Sequence, residues 1–312
     1  MDLIQLFTGT KNFLDLNELH ADWYGLAGTA EAYGILLPAL ARLRGDGSWP
    51  ATMSESSRQY LEHLYFREKL KFTVILAEHD RVQRALAECG GVALGGVDTA
   101  RRYYPDPELR GADAIEFLVE RESFTRALRA LGREGFRVVG KYAEGSGSIQ
   151  IARRENTPVA TLRTRLLGRD FQASDVEGLP VETLLAYCVE QGFSDPRRES
   201  LQCLADLDRV IRNGQPDWAV FLAEVARSGV QAASLLALQM LARDWGTPIP
   251  ADVLEVLESR TPAYRRPLIR QLARTSMLVS GAEAGPVANL GPIVLPYVLP
   301  YVLKDRFFTP RP

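Results

Sequence analysis

The stretch from Gly90 to Val119, GGVALGGVDTARRYYPDPELRGADAIEFLV, restricts the possible folds of this chain more than any other segment of similar length. Val92-Ala93-Leu94 is a short apolar run that stops at Gly95-Gly96, where missing side chains let the backbone approach a ligand or a following helix start. The spacing predicts a strand, a glycine turn and a helix over Val97 to Tyr104, which Pro105-Asp106-Pro107 then breaks. Ile115 to Val119 reads as a second buried strand. Strand side chains alternate between faces, so positions 114 and 116 project to the same side. Only Glu116 of those two is an acid. Asp113 and Glu116 lie at i and i+3, on opposite faces of a regular strand, and a β-bulge between them would bring both carboxylates together.

A hairpin follows. Ser148 to Arg154 and Pro158 to Leu167 flank the polar loop Glu155-Asn156-Thr157. In the second arm Thr161, Arg163 and Arg165 alternate with Leu162, Thr164 and Leu166, which places a hydroxyl and two guanidinium groups on one face. Arginine's planar fork suits phosphate or carboxylate recognition, and the same residues would equally serve as charged protection of a sheet edge. Gly145-Ser146-Gly147-Ser148 lacks the lysine and following helix of a phosphate loop and reads as a turn.

The rest of the chain has helical periodicity. Residues 17–43 and 54–88 carry apolar residues at three- and four-residue spacing, with a helix start at Ser54. From Val181 onward the pattern predicts helices over 181–191, 197–213, 216–228, 230–244, 250–259 and 262–277. The implied fold class is α+β: a small mixed sheet over 90–175, an N-terminal helical segment over 1–89 and a C-terminal helical bundle over 176–312. The bundle ends in an apolar tail, Ile293 to Leu303, too short and too broken by Pro296 and Pro300 to span a bilayer.

Composition excludes little. With 46% apolar and 24% charged residues the chain is ordinarily globular, and a net charge of −2 gives no support for bulk nucleic-acid binding. The first residues, MDLIQLFTGTKNFLDL, carry early acids and no long apolar core, so a cytoplasmic protein is expected. Cys89, Cys188 and Cys203 are widely spaced and odd in number, which predicts buried free thiols. His20, His63 and His79 all precede the sheet region and read as packing or helix-surface residues.

With those segments in view, the chain resembles the bacterial uncharacterised nucleotidyltransferase family, a minimal polymerase-β-like fold. The resemblance rests on GILLPALARLR from Gly34, LGG at 94–96, YYPDPELR at 103–110, the strand at 114–119, LLAYCVEQG from Leu184 and CLADLDRVI from Cys203. It implies an L-K-G pattern at the turn, D-I-D-L-L-V on the strand and a third acid on a later strand. At the matching positions this chain has Gly95 for the lysine, Ala114 and Glu116 for the two strand acids, and Thr161 for the third. Asp206 keeps its place and, as one acid on an amphipathic helix, reads as a solvated or capping group, and Glu190 stands where a histidine is common.

Two function classes follow from the resemblance. One is a degenerate fold, a pseudoenzyme that holds an anionic small molecule, nucleotide, peptide or partner protein in the old cleft without catalysis. Its ligand-binding residues would be Gly95, Gly96, Arg110, Thr161, Arg163 and Arg165. The other is an active transferase using a nucleoside triphosphate with Mg²⁺, held by Glu116 with help from Asp113. An accessory role in making peptide natural products or surface polymers belongs to the same implication.

Overall fold

A computed structural model describes residues 23–32, 35–44, 49, 53–112, 114–154, 157–172, 178–194 and 200–274. The apolar run at 293–303, His20 and Asp113 lie outside the described residues. Two compact units emerge, one over Phe66–Tyr187 and one formed by the described residues on either side of it.

The helices before the first strand are α1 (Trp23–Ala32), α2 (Leu36–Arg44) and α3 (Glu55–Leu86). Helix α3 starts where the Ser54 hydroxyl oxygen accepts from the Ser57 N–H at 3.2 Å, satisfying one of the otherwise orphaned first-turn donors. Its apolar stripe, Phe72, Ile75, Val82 and Leu86, packs under the sheet of the first unit.

That sheet has the order β1-β2-β5-β4-β3, with β1 Val92–Leu94, β2 Ile115–Leu118, β3 Arg137–Val138, β4 Ser148–Ala152 and β5 Ala160–Arg163. It is mixed: β2 runs parallel to β5, and every other pair is antiparallel. Between β1 and β2 lies α4 (Gly96–Tyr103), and between β2 and β3 lies α5 (Phe124–Arg133). Strand alternation divides the sheet cleanly. Ala93, Ile115, Phe117, Ile149, Ile151, Ala160 and Leu162 face α3, α4 and α5 in one apolar core. Each large side chain there contributes about 1.5–3 kcal/mol by leaving water. His79 occupies a place in the α3 stripe, its ring 5.0 Å from that of Phe117 and its exposure only 3%.

The opposite face carries the polar residues. Register places Leu94, Glu116, Thr161 and Gln150 in one lateral row, with Leu118, Arg163 and Ser148 in the next. The ladder from Ile115 to Leu118 pairs without a bulge.

A small second sheet joins β6 (Arg165–Leu166) to β7 (Arg169–Asp170), followed by α6 (Val181–Ser194). Helices α7 (Ser200–Gly214), α8 (Trp218–Ser228), α9 (Gln231–Met240), α10 (Ala251–Arg260) and α11 (Arg266–Arg274) complete the chain. Phe221, Val225, Leu235, Leu241, Leu257 and Ile269 form the interior of this bundle. A π-helical turn, Leu241–Trp245, extends α9 and is tied down by a partly buried network. Arg212 donates to the Trp245 carbonyl at 3.0 Å, while Asp208 accepts from Arg212 and from the Thr247 hydroxyl, each at 2.7 Å. The architecture is the α+β arrangement of small mixed sheet and flanking helices. Among the described residues no helix is long and apolar enough to cross a membrane.

Candidate functional site

The turn between β1 and α4 places backbone, not side chains, at the edge of the polar face. Gly95 has φ +58° and ψ −153°, a conformation open in practice only to glycine. Gly96 has φ +36°, and a Cβ there would stand 2.9 Å from the Ala114 carbonyl oxygen. The turn therefore lies directly against the strand residue that precedes Ile115. A Cβ on Gly95 would meet the Tyr187 ring at 3.3 Å, so α6 brings an aromatic side chain onto the same turn.

Glu116 is the centre of the arrangement. Its Oε1 accepts from Arg163 Nη2 at 2.6 Å, and its Oε2 accepts from the Tyr187 hydroxyl. Both partners of the ion pair are largely buried, with side chains 13% and 16% exposed. Parallel pairing explains the contact. Glu116 is directly opposite Thr161, which puts Arg163 one position along the same face, and the ladder continues through the Val119 N–H to the Arg163 carbonyl at 2.9 Å. The lone strand acid is thus engaged by a permanent cation and a phenol. Thr161 shares its row and contributes no charge.

Arg165 takes partners of its own. The Thr164 N–H continues the β4–β5 register one step further, and it and the Thr164 hydroxyl both donate to the Gly147 carbonyl, at 2.8 and 3.1 Å. Arg165 then enters β6, donates to the carbonyls of Gly145 (3.0 Å) and Gly168 (2.7 Å), and pairs with Asp170 at 3.6 Å. The Gly145–Ser148 segment is the receiving turn, closed by mutual bonds between Ala143 and Ser148. Arg110 follows the short turn Pro107–Leu109 and donates to the Gly111 carbonyl at 2.8 Å. Asp206, expected as a solvated or capping acid, is instead only 4% exposed and accepts from Gln202 at 3.3 Å.

Nearby titratable groups are displaced by their surroundings. Burial raises the Asp98 carboxyl above its usual value, and the adjacent Arg102, 3.2 Å away, partly opposes that shift. Arg102 also donates to the Leu179 carbonyl at 3.1 Å, linking α4 to the segment entering α6. Burial lowers His79, opposed by its bond to Asp80. The thiols are free, with Cys89 and Cys188 buried and Cys203 half-buried.

The family resemblance implies Mg²⁺ with a nucleoside triphosphate, and among the described residues the donor set does not fit it. Of the three strand positions suited to the metal, two carry Ala114 and Thr161, and the third is Glu116 with each oxygen already engaged. Among the described residues no group of three acids, histidines or cysteines is placed to hold a metal.

Tyr187 is the site residue that sequence reasoning missed. It sits within LLAYCVEQG, an apolar helical run in which nothing marks its one ring as part of a site.

Neither a curated protein nor a solved structure matches this sequence. The profile of the uncharacterised nucleotidyltransferase family matches residues 20–246, spanning the glycine turn, both strands of the Glu116–Arg163 pair and the helices through the π-helical turn. With that match covering most of its length, the chain belongs to the uncharacterised nucleotidyltransferase family.

Proposed function

We propose that this protein is a non-catalytic member of its family that holds an anionic ligand in the former active-site cleft. The observation that carries the reading is the closure of Glu116 by Arg163 and Tyr187. In-line nucleotidyl transfer depends on metal charge beside the reacting phosphate. Here a guanidinium takes the place of a metal as the cation beside Glu116. A divalent ion about 4 Å from that guanidinium would meet a repulsion on the order of 8 kcal/mol at an effective dielectric near 20. The Glu116 carboxylate would offset that repulsion only about one for one at equal distance, and it is already paired with Arg163, so the pair offers a metal no net negative charge.

An anion entering the cleft competes with Glu116 for Arg163, and the Tyr187 hydroxyl keeps a hydrogen bond on the displaced carboxylate. An accessory role in maturing a peptide or surface polymer fits a binding protein of this kind and rests on the family resemblance.

The test is calorimetric titration with ATP, GTP, CTP, UTP and pyrophosphate, each with and without Mg²⁺, on the wild type, Glu116→Ala and Arg163→Ala. Metal-independent binding, lost in Arg163→Ala and kept or strengthened in Glu116→Ala, supports the reading. Mg²⁺-dependent binding that vanishes in Glu116→Ala overturns it in favour of an active transferase. Absence of binding to every probe also overturns it.

A further inference from the structure

The strongest unused feature lies on the far edge of the sheet, away from the Glu116 row. From the start of α5 through Arg154 the chain carries seven Lys or Arg against two Glu, a local excess of five positive charges in a chain of net charge −2. Six of these cations, Arg126, Arg129, Arg133, Arg137, Lys141 and Arg154, are exposed and have no acidic partner among the described residues. The seventh, Arg153, is tied to Glu78 at 2.7 Å. Positions 126, 129 and 133 fall at i, i+3 and i+7, on the solvent face of α5, because Ala127, Ala130 and Leu131 occupy the core face. Arg133 ends α5 four residues before Arg137, and Arg137 pairs laterally with Ala152, close to Arg154 in sequence.

These charges surround a free strand edge. Strand β3 is last in the sheet order and pairs only with β4. The Val139 N–H points inward, donating to the Gln150 carbonyl at 3.0 Å, so antiparallel alternation turns the backbone polar groups of Val138 and the N–H of Gly140 outward. Val138 and Val139 are 52% and 56% exposed, one on each face of the sheet. Edge protection alone would account for Arg137 and Lys141. It does not account for two exposed valines between them, nor for three further exposed arginines along α5 that have no acidic partner among the described residues.

We infer that the β3 edge is a docking site for an extended acidic peptide of a partner protein, which adds as a sixth strand. Outward backbone groups of Val138 and Gly140 supply the ladder, the valines pack against alternate side chains, and the α5 and β3 cations pair with the acids. A second copy of β3 is a poor occupant, because antiparallel self-pairing sets Arg137 against Lys141. This surface is separate from the cleft, so the inference stands or falls independently of the anion-binding reading.

The probe is a fluorescent peptide of about ten residues, a length suited to one strand, alternating Glu with Val or Thr. Its companions are the same peptide with proline at alternate positions and a single-stranded oligothymidylate of equal charge. Binding is read by anisotropy on the full chain, on Arg129→Glu/Arg133→Glu/Arg137→Glu and on Val138→Pro, each with its melting curve recorded. The expected result is salt-sensitive binding of the first peptide only, weakened at least about tenfold by charge reversal and by Val138→Pro, since proline removes an outward donor that β4 does not use. If Val138→Pro fails to fold, the proline peptide asks the same question from the ligand side. Equal binding of the two peptides, tighter binding of the oligothymidylate, or no binding overturns the inference.

Discussion

Replacing Arg163 by methionine should destabilise the protein by about 2–3 kcal/mol, and the structure explains why the figure falls between the two usual limits. An exposed ion pair contributes roughly 0–1 kcal/mol, whereas breaking a buried one costs about 3–5 kcal/mol because the remaining charge is stranded. The Glu116 and Arg163 side chains are 13% and 16% exposed, close to the buried limit. Glu116 would nevertheless keep the Tyr187 hydroxyl, which holds the loss below the full penalty. At no more than about 2–4 °C per kcal/mol for a chain of this size, the midpoint of melting should fall by at most roughly 4–12 °C. The sharper measurement is a double-mutant cycle in urea with Glu116→Gln. Removing the charge of Glu116 as well as that of Arg163 relieves the stranded carboxylate, so the double variant should be more stable than Arg163→Met alone. The coupling should be about 1.5–2.5 kcal/mol, and other contacts of Arg163 cancel because they are lost in both arms. Additive losses, or an Arg163→Met variant within about 0.5 kcal/mol of wild type, would refute the argument that this pair is the electrostatic centre of the cleft.

Three further outcomes are expected. His79 is buried and its pKa is depressed below the ordinary 6.5, so the unfolded chain binds the proton more readily. Stability from this residue is fully present above about pH 6.5 and declines as pH falls through the folded-state value; urea midpoints between pH 5 and 7.5 should slope accordingly in the wild type and lose that part of the slope in His79→Gln. Gly96→Ala should cost about 2–3 kcal/mol, since it combines a positive φ with a Cβ pressed against the Ala114 carbonyl, and a loss under about 1 kcal/mol would show that the turn relaxes. Thr161→Asp combined with Arg163→Met puts a second carboxylate opposite Glu116 and removes the competing cation; Mg²⁺ binding near the millimolar range should then appear by calorimetry, and Thr161→Asp alone should show none.

The β1–α4–β2 segment was legible because its signals are local. A glycine pair, a Pro-Asp-Pro break and two apolar runs place a helix at 97–104 and a strand at 115–119, against an observed Gly96–Tyr103 and Ile115–Leu118. The hairpin and most C-terminal helices were legible for the same reason. The Glu116–Arg163 pair required information that no local pattern carries, namely the parallel register that sets Glu116 against Thr161 across a long sequence gap. Counting alternate residues along one arm gave the face of Arg163, but it could not give the partners that Arg165 takes, the carbonyls of Gly145 and Gly168 and the Asp170 carboxylate. Tyr187 is set by where α6 crosses the glycine turn, and a buried tyrosine in an apolar helix carries no mark of that. Asp206 was misjudged because one acid on an amphipathic helix says nothing of the neighbour that shields it.

The survival of Glu116 is explained by Arg163 without any metal. A largely buried guanidinium needs a counter-charge, and deleting the acid would leave it stranded at a cost comparable to the reverse deletion. The retained acid is therefore not evidence for retained catalysis. The same reasoning separates the two proposed anion-binding surfaces of the first unit. In the cleft an anion meets one cation that is already neutralised and mostly screened from solvent, so its binding should depend weakly on ionic strength. At the β3 edge it meets several exposed cations with no acidic partners among the described residues, whose attraction fades beyond a Debye length of about 8 Å at physiological salt. A ligand whose affinity falls steeply between low and physiological salt belongs to the edge; one that is nearly indifferent to salt and lost in Arg163→Ala belongs to the cleft.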